Sequence, residues 1–169
     1  MRAALDRLYN GAAYLAALFL AGTLVFVMLG IGSRLLNWFI PGTDSYAGYC
    51  MAAAGFLALA HTLKRGEHIR VSLLLEHVGA RAHRTLALFA LVVATLLAAA
   101  LAFYSVRLAW QSWSFNDIST GNDATPLWIP QLAMAAGTLV LLIAFVDELV
   151  LEWRGVRRVA MPDEALHNE

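Results

Sequence analysis

Residues 85–106 read TLALFALVVATLLAAALAFYSV, without a single Asp, Glu, Lys or Arg. A helix rises about 1.5 Å per residue, so this run matches the ~30 Å hydrocarbon core of a bilayer, which needs ~20 residues. Working outward, Arg81 and Arg84 precede it and Arg107 follows it. Three further uncharged runs, 11–33, 45–63 and 124–146, have the same character. Four such runs define an all-α membrane protein with four transmembrane helices. Its spans are expected at about 11–38, 45–63, 85–110 and 126–151.

Composition agrees. Of 169 residues, 60% are hydrophobic and only 14% charged, whereas soluble domains are about half apolar and about a quarter charged. The connections are too short for a separate soluble domain, so residues 1–169 are read as one membrane domain. No repeat, linker or low-complexity stretch interrupts it. The first run follows Arg2 and Arg7, as a secretory signal would. Its apolar length exceeds the ~7–15 residues of a signal core and no small-x-small cleavage site follows, so it is read as a retained first helix. Cys50 is the one cysteine, which excludes an intrachain disulfide or a cysteine metal cluster and reads as a small packing residue.

The loops carry the orientation. Lys and Arg collect on the cytoplasmic side of short loops. Basic residues mark the N-terminus (Arg2, Arg7), the central connection (Lys64, Arg65, Arg70, Arg81, Arg84) and the C-terminus (Arg154, Arg157, Arg158). Asp44, Asp117 and Asp123 occupy the other two connections. Alternation therefore predicts that both termini and the central connection face the cytoplasm. Aromatic residues, which prefer the headgroup level, agree with this: Trp38, Tyr46, Tyr49, Trp110, Trp113 and Trp128 fall at the outer boundary, and Tyr9, Tyr14 and Trp153 at the inner. Pro126 and Pro130 open the fourth span, where a missing N–H costs least, and Asp123 or Thr125 is expected to cap it. The spans otherwise lack proline.

The central connection carries its own signal. Val71, Leu74, Leu75 and Val78 form one apolar stripe at helical spacing, Arg70, Glu76 and His77 point elsewhere, and Gly79 is a natural stop. A short amphipathic helix over about 67–78 is expected to lie flat in the membrane interface.

Ionisable groups inside a bilayer are costly and mark ion or substrate paths. Arg34, about a turn before Trp38, either snorkels to the outer surface or pairs with Asp44 or a partner subunit. Asp147, Glu148 and Glu152 oppose the helix dipole at the inner end of the fourth span. They are either neutralised by Arg154, Arg157 and Arg158 or meet a basic partner. Haem would need paired axial histidines on facing helices, and His61 and His83 at the boundary make one such pair with none deeper. A small multidrug-type antiporter would need an acid within a span and, like other secondary transporters, would be expected to break a helix at its site. The first three spans offer no such acid. These two alternatives lack their chemistry, and no catalytic residue, metal, cofactor or nucleic-acid partner is expected.

The stretch from Phe56 to Val71, FLALAHTLKRGEHIRV, resembles the signature of the small membrane subunit of tripartite ATP-independent periplasmic (TRAP) transporters. There an apolar helix ends in basic residues and a Gly-x-His-Ile-x-Val segment opens an interfacial helix. Gly66, His68, Ile69 and Val71 fill those places. The resemblance extends to the first helix ending near Arg34, to residues 112–119, and to Thr125-Pro126-Leu127-Trp128-Ile129-Pro130 and Gly137. It departs at Ser45, where many members carry an acid, and at Ser72, where the family has Asp.

The resemblance implies a three-part importer in the bacterial inner membrane. A periplasmic solute-binding protein captures an organic acid or similar solute. A large membrane subunit holds the sodium and substrate sites and moves as an elevator, while the small subunit is its static scaffold. Partner-interface candidates follow. Arg34 is one. Gly66 permits a sharp helix exit, so that His68 and Arg70 reach headgroups or a partner's carbonyls. The outer segment from Trp110 to Asp123, with Trp113, Asp117 and Asp123, suits docking of the binding protein.

Overall fold

The computed structural model describes residues 2–38, 40–65 and 80–154. Four helices account for most of them: α1 (Arg2–Leu35), α2 (Thr43–Arg65), α3 (Ala80–Ser114) and α4 (Trp128–Trp153). All four are long and apolar enough to cross a membrane. The expected interfacial helix at 67–78 lies outside the described residues.

The helices outrun the apolar stretches that announced them, because a helix continues through polar residues until something stops it. At the ends of α1 and α3 the stop is an asparagine. Asn37 and Asn116 adopt left-handed φ of 56° and 53°. Around them Asn37 N–H donates to the Arg34 carbonyl and Trp38 N–H to that of Ser33; Asn116 N–H donates to Trp113 and Asp117 N–H to Ser112. Both ends thus close with the same paired motif, which satisfies carbonyls otherwise left orphaned. The start of α4 differs from expectation. Neither Asp123 nor Thr125 caps it; Leu127 occupies the cap position with no side-chain bond. Pro130 falls in the first turn, where its missing N–H is one of the helix's orphans in any case.

The helices pack in a row. α1 lies along α2, α2 along α4, and α4 along α3, while α1 meets α4 only briefly. The spatial order is α1–α2–α4–α3, one helix thick. Burial follows: 33% and 28% of the apolar windows of α2 and α4 are buried, against 11% for each of the outer helices.

Small residues make this packing possible, since apolar helices in lipid associate through close backbone approach. α3 offers Ala98, Ala102, Ser105, Ala109 and Ser112, all buried at alternating four- and three-residue spacing. α2 offers Ala53, Ala54 and Ala60, and α4 Ala135, Gly137, Thr138 and Ala144. The tightest point is Gly137, where a Cβ would sit 2.5 Å from the Phe56 carbonyl oxygen. Tyr9, Ala60, Leu63, Leu141 and Ala144 close a core where α1, α2 and α4 meet.

Candidate partner interface

The α1–α2 and α3–α4 connections share one end of the row and interlock there. Gly42 turns with φ +79°, and a Cβ on it would fall 2.7 Å from Asp123 Cβ. Tyr49 Oη donates to Asp123 Oδ2 (3.0 Å) and Ser119 Oγ to Asp123 Oδ1 (2.9 Å). Thr125 Oγ1 lies 3.3 Å from Tyr46 Oη, and Tyr46 stacks on Phe26 at 5.5 Å. The α3–α4 connection folds back on itself through an isolated antiparallel bridge between Ile118 and Pro126. Desolvation alone would raise the Asp123 pKa. Hydrogen bonds from Thr125, Ser119, Tyr49 and its own backbone outweigh it and hold the carboxyl well below the usual carboxylate range. Asp123 is therefore a half-buried internal staple.

Asp117 is the opposite case. Its backbone is fixed, N–H to Ser112 and carbonyl to Leu127 N–H. Its carboxylate is exposed with no side-chain partner among the described residues. Beside it stand Trp113, Phe115 and Ile118, 55%, 74% and 57% exposed. One acid among three exposed large apolar side chains, on a backbone pinned at both ends, makes an interface-like surface at this end. Arg34 reaches Asp44 at 2.8 Å, and both side chains are exposed.

A second polar centre lies toward the other end. Lys64 of α2 pairs with both Asp147 and Glu148 of α4, the latter at 3.3 Å, and its ammonium stands 5.3 Å from the Tyr9 ring centroid. All three charged side chains are at least three-quarters buried. A basic partner for the acidic cluster thus comes from within the chain, from a residue first counted as a boundary marker. Its distance of 83 residues in sequence left no local signal. Tyr9 Oη, buried beside this group, has no hydrogen-bond partner among the described residues.

Gly66, His68 and Arg70 lie outside the described residues. His61 sits on α2, whereas α3, which carries His83, packs along α4; the row does not bring those helices face to face.

Four unbroken spans, with their inner charges paired within the chain, define a multi-pass helical membrane subunit. Residues 23–155 match the model of the DctQ component of tripartite ATP-independent periplasmic transporters. The chain belongs to that family: it is a small membrane subunit of a TRAP transporter, a transporter component of the inner membrane and not an enzyme. A comparison with curated proteins gave no significant match.

Proposed function

We propose that this subunit is the static scaffold of a sodium-driven importer of organic acids or similar solutes, clamping a large elevator subunit and offering the periplasmic binding protein a landing surface. The observation that carries the reading is the row itself. One helix thick, with its deeper acids Asp147 and Glu148 held by Lys64, it has no enclosed midplane chamber among the described residues and broad apolar faces for a partner. Loop charge puts both termini in the cytoplasm and the Asp117 end in the periplasm. Gly66, His68 and Arg70 are then the candidate cytoplasmic contacts.

Reconstitution tests the scaffold role. The chain alone in liposomes should move no solute under a sodium gradient, while adding the large subunit and loaded binding protein should create uptake. Concentrative uptake by the chain alone would overturn the proposal. For docking, Asp117→Lys should raise the binding-protein concentration needed for half-maximal uptake, most at low salt, because a rim charge acts mainly on association rate. Superimposed uptake curves at low and moderate salt would place docking elsewhere.

A further inference from the structure

α3 closes the row at one side, and its buried stripe of Ala98, Ala102, Ser105, Ala109 and Ser112 faces α4. Arg107 stands two residues from both Ser105 and Ala109, so at about 100° per residue it points away from that seam. Tyr104, Gln111 and Ser114 share its face at helical spacing, and Ala100 continues that face one turn below Tyr104. Arg107, Tyr104 and Ala100 are exposed. The outward edge of a membrane helix thus carries a polar stripe, where contact with hydrocarbon would call for apolar side chains.

Trp113 marks the headgroup level at this end. Arg107 lies six residues below it and Tyr104 nine, about 9 and 14 Å at helical rise. Helical side chains lean toward their helix's N-terminus. For α3 that is away from the nearer membrane surface, so Arg107 leans into the bilayer and not up toward phosphate groups. Tyr104 Oη, deeper still, has no hydrogen-bond partner among the described residues. An unmatched hydroxyl is costly there, and acyl chains accept no hydrogen bond. Arg34 shows how such a charge is met: it too stands near the C-terminal end of its helix, and Asp44 reaches it at 2.8 Å. No acid reaches Arg107 among the described residues. A second copy of the chain would not supply one. At this end Asp44 is paired, Asp123 is stapled internally, and Asp117 lies beyond the end of α3. We propose that this edge is where the row meets the large membrane subunit, through a transmembrane helix that sets a carboxylate against Arg107 and an acceptor against Tyr104 Oη. Ala100 lets the two backbones approach. The inference rests on the reading that a large subunit clamps this chain, and adds which edge is used and by what chemistry.

Binding of the purified large subunit to the full chain, both in dodecyl maltoside, reads the charge. Arg107→Gln should weaken binding at least about tenfold, the loss expected when one partner of a buried charge pair is removed. Arg107→Lys should weaken it less, and Tyr104→Phe should cause a smaller loss than Arg107→Gln. The thermal midpoint of the chain alone should not fall with Arg107→Gln, because no side chain among the described residues holds Arg107. Benzoylphenylalanine placed at Phe103, 63% exposed on the same side of α3, should photocross-link the large subunit in the assembled complex. Binding of Arg107→Gln as tight as that of the parent, or cross-links from position 103 to lipid alone, would overturn the proposal and leave the scaffold role standing. If the unmodified chain bound no large subunit at all, the scaffold reading would fall with it.

Discussion

At Asp123 hydroxyl groups converge on one carboxylate, and the consequence is a dependence on pH. Its folded pKa lies below the unfolded value of about 3.9. A carboxyl depressed on folding contributes stability above the unfolded pKa and loses it as pH falls through the folded one. Asp123→Asn should therefore lower the melting midpoint at pH 7, and the deficit should narrow below about pH 4, where the unfolded chain begins to take up a proton that the folded carboxyl still refuses. Tyr49→Phe should reproduce a smaller part of the deficit. Thermal melts in detergent at both pH values check this, and an equal deficit at each would show that charge is not what the staple supplies. Asp117→Lys, at a carboxylate that is exposed and has no side-chain partner among the described residues, should leave the melt unchanged. The sequence told that acids occupy this connection. It could not tell the half-buried Asp123 from the exposed Asp117, because Tyr49 lies 74 residues from Asp123.

Helices were legible because the bilayer demands long uncharged runs, a signal carried by each segment alone. Their true ends were partly legible too: Asn37 and Asn116 are the residues that tolerate left-handed φ, and both stand just past a helix. The order α1–α2–α4–α3 was not, since apolar runs of similar composition do not declare which neighbour they touch. Small residues carry that information only once their spacing is matched across helices. Gly137 tests the matching. A methyl there meets the Phe56 carbonyl, so Gly137→Ala should cost about 1–3 kcal/mol through forced backbone shifts. Gly55→Ala on α2 meets nothing within 4 Å and should leave the isolated chain unharmed or slightly more stable. Unfolding of the two variants in a mixed-micelle titration separates them, and equal effects would place the α2–α4 seam elsewhere.

For the molecule as a whole, the question is what keeps a single layer together with so little interior. Lys64 holds α4 through two carboxylates, and the three groups are mostly out of solvent. Removing one member of a buried set leaves charge uncompensated, at a cost on the order of 3 kcal/mol. Lys64→Met should thus destabilise more than the triple change Lys64→Met, Asp147→Asn, Glu148→Gln, which removes charge on both sides; the reverse ranking in thermal melts would mean that the ion pairs are incidental.

The spacing of these attachments has a mechanical meaning. Tyr49 grips the segment leading into α4, Phe56 bears on Gly137, and Lys64 grips the far end of the same helix. From Tyr49 to Lys64 the three points span about 22 Å along α2. A pair of helices riveted at both ends and bearing hard in the middle resists shear: neither can slip along the other by a turn without breaking polar contacts and driving backbone into backbone. The thin direction stays compliant, because nothing stands behind the layer to stiffen it against bending. A neighbour travelling along the membrane normal would load this chain along its stiff axis, so the row would behave as a guide rail that flexes with the bilayer while its length stays fixed.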